Sequence, residues 1–343
     1  MTTAAPVSNS GARGGEFLAT VGLILLAALL CGLVLAATGV NPLRAYAEIL
    51  KGAFGSANAV AECLVYATPI TLTALSVILC FRCGLWNIGA DGQLYMGAIA
   101  AVGVGFNTIG LPGPFVLPAM IVAGFAAGAA YAAIPALLRL RFGASEVIVT
   151  IMMNFLATTF AIYLIGGPWA SGITPATPPI VSAGYLPVLI PGTRLSANFL
   201  VALLAAAVLS RVLSSTVFGF RVRTIGQNVN AARYAGMRVG RVMFASFAAA
   251  GGLAGLAGFG EVAGIYHNLP AGLSPGFGYT GIVVALLAKL NPGRAVIVAI
   301  LLGALNVGAD SMQRSLGVPV SIVAIMEGLL ILLILAARLI DRR

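Results

Sequence analysis

The sequence predicts an all-α polytopic membrane protein with about ten transmembrane helices, some of them broken or short. Of its 343 residues, 60% are hydrophobic and only 8% are charged, whereas about 25% of the residues in a soluble domain are charged. The apolar residues form ten runs, most of them near the roughly 20 residues that a helix needs to cross the hydrocarbon core. This composition excludes a soluble globular domain, and it also excludes a disordered chain.

The ten runs differ in length, and each boundary is set to within a few residues. They lie at 17–40, 62–81, 92–108, 115–138, 146–166, 197–213, 243–265, 278–290, 295–312 and 321–338. The first run is longer than the roughly 7–15 apolar residues of a signal peptide, so we expect it to remain as a span. Residues 1–16 are interpreted as a disordered cytoplasmic tail and residues 17–343 as a single transmembrane domain. The run at 278–290 is too short to cross the hydrocarbon core alone.

The positions of the basic residues predict the orientation in the membrane. With the N-terminus in the cytoplasm, fifteen of the 19 lysines and arginines fall on the inner side, as the positive-inside rule requires. We therefore expect both termini of this multi-pass protein in the cytoplasm. The basic residues lie between apolar runs and not in one patch, which favours membrane lipid over nucleic acid as a partner.

Three connections between the runs have patterns of their own. Residues 41–61 carry apolar side chains at helical spacing beside charged ones, which predicts an amphipathic helix on the outer face. Residues 167–196 are rich in Pro, Thr, Ser and Gly and predict a long external loop. Residues 214–241 form the longest cytoplasmic segment.

The four cysteines indicate neither a redox site nor a metal site. Cys80 and Cys83 form a Cys-x-x-Cys pattern, but the pattern lacks the βαβ context of a redox motif and the additional ligands of a metal shell. We interpret both as packing residues at a helix end. No catalytic residue and no metal ligand is predicted.

A polar and glycine-rich segment at 82–93 interrupts the apolar pattern. Its glycines do not favour a straight helix, and Asn87, Asp91 and Gln93 are tolerated at membrane depth only against protein or water. One interpretation is a short cytoplasmic turn in which polar residues cap helices, with Asp91 as the N-cap of the third span. The other is a broken helix beside a translocation path. The spacing alone leaves both open.

Two further polar residues inside apolar runs are candidates for a substrate path. Asn154 is the best single candidate, although an interhelical hydrogen bond would explain it equally well. Glu261 is costly in hydrocarbon and should therefore face protein or a cavity. Glu261 together with Asp310 and Glu327 also supports an alternative, an ion-coupled secondary transporter.

The cytoplasmic segment predicts a short helix that docks onto another protein. Asn228 is placed to cap a helix over 229–235, and Gly236 to end it. We expect this helix to expose Val229, Ala232 and Tyr234, which suits a groove of a partner. A basic loop that only holds the topology, or that holds anionic lipid in a non-transporting scaffold, is the alternative.

Four motifs together resemble the membrane subunit of ABC importers for nucleosides and simple sugars, within the broad permease family that also serves ribose and branched-chain amino acids. The first motif runs from Phe81 to Gln93, with Asp91 where the family usually has Glu. The others are Val149–Asn154, Gly226–Asn228 with Ala231–Gly236, and Gly278–Leu287. The resemblance covers about residues 40–310.

The resemblance implies a bacterial inner-membrane permease working by alternating access. It would pair with a second, related permease, most simply as a heterodimer, and would be driven by cytoplasmic ATP-binding subunits and supplied by an extracytoplasmic substrate-binding protein. ATP and magnesium would be bound by the partner, and this chain would bind no cofactor and hydrolyse nothing. The short helix would be the coupling helix, made by residues Asn228, Ala231, Ala232, Arg233, Tyr234 and Gly236.

Overall fold

The computed structural model is mainly α-helical over the residues it describes, which are 26, 29–36, 39–106, 110–172, 174–318, 322, 325 and 328. Residues 29–36 are helical. The helices with defined bounds in this part of the chain are α1 Pro42–Phe54, α2 Ala57–Arg82, α3 Ala90–Gly105, α4 Gly113–Phe142, α5 Glu146–Gly166, α6 Asn198–Ser215, α7 Val217–Gln227, α8 Val229–Tyr234, α9 Val239–Glu261, α10 Phe277–Leu287 and α11 Pro292–Leu316. A π-helix, Val262–Tyr266, continues α9.

Six of these helices are long and apolar enough to cross a membrane. They are α2, α4, α5, α6, α9 with its π-helical continuation, and α11, while α10 is a shorter apolar helix. The predicted class, an all-α polytopic membrane protein with short helices, is confirmed. The predicted runs at 17–40 and 321–338 lie largely outside the described residues, as do the predicted tail at 1–16 and Glu327, so the number of ten spans stays a prediction.

The chain divides into two compact units, residues 57–304 and residues 1–56 with 305–343. In the second unit, α1 is capped by Asn41, whose Oδ1 accepts hydrogen bonds from the backbone N–H of Leu43 and Arg44. Leu43 and Phe54 are exposed, whereas Ala45 and Ala53 are buried. The predicted amphipathic helix is therefore present. Buried residues of this unit form a cluster made by Cys31, Leu35, Ala45, Met312, Val318 and Ile322.

Helix α9 is central to the unit formed by residues 57–304, and it packs on α3 and α4 through glycine. A Cβ atom at Gly258 would lie 2.0 Å from the carbonyl oxygen of Leu94, and one at Gly255 would lie 2.2 Å from that of Gly124. Such backbone-to-backbone packing is the usual way in which small residues let membrane helices approach closely. The contacts also place α3 antiparallel to α9, since residues 94 and 97 of α3 meet residues 258 and 255.

The predicted external loop at 167–196 has no long helix, as expected, but it is held firmly in place. Its backbone N–H groups donate to the segment after α9, from Leu186 to Ala263, from Ile180 to His267 and from Thr177 to Leu269, at 2.8–3.1 Å. Arg194 in the same loop forms an ion pair with Glu62 near the start of α2, with 2.9 Å between Arg194 Nε and Glu62 Oε1.

Candidate functional site: two half-helices that meet inside the membrane

The glycine-rich break lies between α2 and α3 and turns back into the membrane. Helix α2 ends at Arg82, Gly84 has a left-handed φ of 74°, and residues 85–88 form no regular secondary structure before α3 begins at Ala90. The start of α3 lies beside the middle of α5, since Asn154 Oδ1 accepts a hydrogen bond from the backbone N–H of Gly92 at 2.8 Å. Asn154 is eight residues into α5, or about 12 Å from its first residue.

Helix α10 begins at a similar depth and runs in the opposite direction. The hydroxyl of Thr73, nine residues before the end of α2, donates to the carbonyl oxygen of Phe277 at 2.9 Å. Nine residues of helix correspond to about 14 Å. Beyond the other end of α10, the carbonyl oxygen of Leu290 accepts from Arg82 Nε at 3.0 Å, so α10 runs back to the level where α2 ends. The two half-helices therefore start together inside the membrane and diverge.

Asp91 joins the two starts. Its Oδ1 accepts a hydrogen bond from the hydroxyl of Ser274 at 2.7 Å and one from the backbone N–H of Gly278 at 3.0 Å. Gly278 is in the first turn of α10, so the carboxylate caps that helix. The interpretation of Asp91 as the N-cap of its own helix is wrong. Helix α3 begins at Ala90, so Gly89 is at its N-cap position and Asp91 lies in its first turn.

The amides of Asn87 and Gln93 hold the segment between α2 and α3 in place. They pair head to tail, with 3.0 Å for each of the two bonds between Nδ2 or Nε2 and the opposite amide oxygen. Asn87 Oδ1 also accepts from the backbone N–H of Gly89, and its Nδ2 reaches the hydroxyl of Ser76 at 3.3 Å. Both side chains are buried. The turn interpretation is correct about capping, but the segment returns to mid-span depth and does not stay at the surface.

Asn154 connects three elements. Besides accepting from Gly92, it donates through Nδ2 to the carbonyl oxygen of Ile88 at 2.9 Å and to the hydroxyl oxygen of Tyr279 at 3.1 Å. These bonds satisfy backbone groups that the broken helix would otherwise leave unpaired in the membrane, where each unpaired group is costly. Asn154 thus makes the interhelical hydrogen bonds of the alternative interpretation, and it makes them at the break itself.

The structure brings Asn87, Asp91, Gln93 and Asn154 together at the break. Glu261 is not part of this group and lines a small pocket of its own. Glu261 is buried at the end of α9 beside a cavity of about 10 Å³ that Asn198 also lines. The Oδ1 atom of Asn198 is buried and has no hydrogen-bond partner among the residues that the structure describes. No group of three His, Cys, Asp or Glu side chains suited to a metal ion occurs within the described residues.

Two residues of this site, Ser274 and Tyr279, are not among the predicted site residues. Tyr279 is half-exposed and belongs to a motif quoted above, but its position beside Asn154 depends on a contact 125 residues apart in sequence. Ser274 lies in the Pro- and Gly-rich segment before α10 and also accepts from the backbone N–H of Phe277 at 3.0 Å. The buried carboxylate of Asp91 required a donor, which was the one available signal.

The predicted short helix is present as α8, with the predicted cap. Asn228 Oδ1 accepts from the backbone N–H of Asn230 and of Ala231, each at 3.0 Å, and Gly236 follows the helix with a φ of 74°. Tyr234 is 94% exposed.

The expected exposure of Ala232 is wrong, because Ala232 is fully buried. A six-residue helix needs one side chain directed inward to be held on the protein, and alanine is small enough to allow close packing. Ala231, Arg233 and Tyr234 are exposed. These three residues form the free face of α8.

Helix α7 lies in the segment 214–241, for which the sequence predicts no helix before Val229, and it links α8 to the break. Its buried positions are Gly219, Val222 and Ile225. Near its end, a Cβ atom at Gly226 would lie 2.1 Å from the carbonyl oxygen of Arg82. A Cβ atom at Gly84 would lie 3.4 Å from the Cα atom of Gly226. Only Gln227 separates this contact from the cap of α8, so the short helix is joined directly to the turn that opens the re-entrant segment.

A family model described as the branched-chain amino acid transport system permease component matches residues 59–335. The chain belongs to this permease family.

Relatives match the permease over most of its length. It is 35% identical to the glucose ABC transporter permease protein TsgB13 of Haloferax volcanii, over 93% of this chain and 87% of the relative. It is also 35% identical to the guanosine ABC transporter permease protein NupP of Bacillus subtilis, over 91% and 92%. The nucleoside ABC transporter permease protein NupB of Lactococcus lactis matches at 30% identity over 93% and 90%.

The Bacillus and Lactococcus relatives each have a second permease protein in the same organism that this chain also matches, at 24–28% identity. No solved structure matches the chain significantly. The chain is a multi-pass cell-membrane protein and a translocating subunit of an ABC transporter, not an enzyme.

Proposed function

We propose that this permease imports a nucleoside or a simple sugar by alternating access, driven by ATP hydrolysis on a separate subunit. The names of three relatives, which refer to glucose, guanosine and nucleosides, support this substrate class. The observation that carries the proposal is the pair of half-helices α3 and α10, which start together inside the membrane. Irregular backbone at this depth is typical of a site that lines a translocation path.

The site residues have two kinds of role in this proposal. Asn87, Asp91, Gln93 and Asn154 shape the path by holding the re-entrant segment, since their hydrogen-bonding groups are directed to protein. The half-exposed ring of Tyr279, oriented by Asn154, is the side chain of this site that faces the path. Glu261, at the end of α9, contributes a polar wall nearer the outer side.

Helix α8 is the coupling helix in this proposal. Its exposed residues dock on the ATP-binding subunit, which binds ATP and magnesium, while this chain binds no cofactor. Movement of α8 reaches the break through the close contact of Gly226 with Arg82. Family membership implies the ATP-binding subunit and a substrate-binding protein. Two of the relatives have a second permease protein in the same organism, which supports a heterodimer. Both termini of this chain lie in the cytoplasm in this proposal, as the positions of the basic residues predict.

Copurification tests the docking role of α8. Tyr234→Ala removes a side chain that is 94% exposed, so the chain should fold and insert as before, while recovery of the ATP-binding subunit from mild detergent should fall several-fold. Arg294→Ala, at an exposed position near the start of α11, is the matched control and should recover the subunit fully. Equal recovery with both variants would contradict the assignment of α8.

A further inference from the structure

A second cavity, distant in sequence from the break, lies where α9 starts. It has a volume of about 650 Å³ and lies between α7 and the beginning of α9. Three guanidinium groups line it, those of Arg221, Arg238 and Arg241, and no carboxylate is among its lining residues. None of the three arginines takes part in an ion pair within the described part of the chain. The cavity is therefore strongly positive.

The backbone at this end of α9 adds to the positive potential. Helix α9 begins at Val239 without a side chain that caps its first N–H groups. The helix dipole favours an anion near this end. Phosphate oxygens match such a cluster of guanidinium groups, since guanidinium groups bind phosphate through paired N–H bonds.

The apolar part of the lining distinguishes a lipid from a soluble anion. Val217 and Phe220 of α7 are 66% and 54% exposed, although both line the cavity. The cavity also reaches Ala245, about 9 Å along α9 from its first residue. Together with its π-helical continuation, the α9 span has 28 residues, or about 42 Å, which exceeds a hydrocarbon core of about 30 Å. With Arg238 and Arg241 at the start of α9, this excess agrees with first turns that lie in the headgroup region, where a phosphate and an acyl chain are both at hand.

We propose that this cavity binds an anionic phospholipid, with the phosphate on Arg221, Arg238 and Arg241 and the start of an acyl chain along Val217 and Phe220. An acidic segment of a protein partner would satisfy the arginines, but it would leave the exposed apolar side chains in water. The lipid would brace α7 against α9 directly behind the coupling helix, since Ala235 and Gly236 form another wall of the same cavity.

The test is lipid retention by the full-length protein. The protein is purified in detergent with equal amounts of phosphatidylglycerol and phosphatidylcholine, washed, and analysed for bound lipid by native mass spectrometry. We expect the wild type to retain phosphatidylglycerol at least fivefold over phosphatidylcholine. Replacing Arg221, Arg238 and Arg241 together by Gln should abolish this preference. The control replaces Arg211, Arg233 and Arg294, which are exposed and outside the cavity, and should keep it.

Two results would overturn the proposal. One is an equal retention of both lipids by the wild type, and the other is the same loss of phosphatidylglycerol in the triple variant and in its control. Competition separates a lipid from a free anion, since inorganic phosphate at millimolar concentration should not displace the bound phosphatidylglycerol.

A photoreactive residue in place of Phe220 covers the case in which the triple variant does not fold. Cross-linking in membranes should add the mass of one phospholipid. Cross-linking to the ATP-binding subunit in its place would contradict the lipid assignment and identify a protein as the occupant of the cavity.

Discussion

A few single residues repair a broken helix with their side chains. A helix that starts inside the membrane leaves its first N–H groups without water, and each must find a partner in the protein. Asn154 supplies one for Gly92, and Asp91 supplies one for Gly278 of the neighbouring helix. The amino-acid sequence identified both residues as polar groups at depth. It did not identify their partners, because those lie 62 and 187 residues away.

Substitution of Asn154 tests this role. Asn154→Ala leaves the N–H of Gly92 and the carbonyl of Ile88 unsatisfied, which costs about 1–3 kcal/mol for each buried group. We expect a lower Tm in detergent and a loss of uptake. Asn154→Asp keeps the acceptor for Gly92 but turns a carboxyl oxygen toward the carbonyl of Ile88 at this depth, so it should not restore the wild-type Tm.

The matched control for Asn154 is one turn further along α5. Within the described part of the chain, the hydroxyl of Thr158 donates to the carbonyl oxygen of Asn154 in its own helix, at 3.0 Å, and to no other group. Thr158→Val should therefore change the Tm little. If Asn154→Ala unfolds at the same temperature as Thr158→Val, the hydrogen bonds of Asn154 do not hold the break.

At the scale of elements, the sequence predicted the helices well and the path of the break less well. The run at 278–290 was too short to cross, and the observed α10 has only 11 residues. The segment at 82–93 was expected either as a surface turn or as a broken helix. Local pattern did not decide between them, because the depth of α3 is set by its packing on α5 and α9, which no local period encodes. Helix α7 was missed because its buried residues are interrupted by glycine and arginine.

The close contact of α7 with the end of α2 is testable by a single methyl group. A Cβ at Gly226 would lie 2.1 Å from the carbonyl oxygen of Arg82, so Gly226→Ala forces the two elements apart at a cost of about 1–3 kcal/mol. The free face of α8 is unchanged. We expect the ATP-binding subunit to copurify as before while ATP-driven uptake falls at least tenfold.

The control for Gly226 is another helical glycine. A Cβ at Gly240 would have only Leu140 Cδ2 within 4 Å, at 3.6 Å, so Gly240→Ala should keep uptake near the wild-type rate. Normal uptake in Gly226→Ala would show that movement reaches the break by another route.

At the scale of the whole molecule, composition alone decided the class of the protein, since a chain that is 60% hydrophobic and 8% charged must be in a membrane. Four motifs in the order of the family indicated a permease, and the family model and the relatives confirm it. The polar groups at the break do not indicate which substrate is carried, because they are bonded to protein. The source of energy separates the ABC importer from an ion-coupled transporter that uses Glu261, Asp310 and Glu327.

Uptake in proteoliposomes distinguishes the two sources of energy. The permease is reconstituted with its ATP-binding subunit, its paired permease and its binding protein, and uptake of radiolabelled guanosine and glucose is measured with ATP inside and the ion gradients collapsed by ionophores. We expect uptake of one of the two substrates that requires ATP and is unaffected by the ionophores. Uptake by the permease alone, driven by a proton or sodium gradient and independent of ATP, would contradict the account.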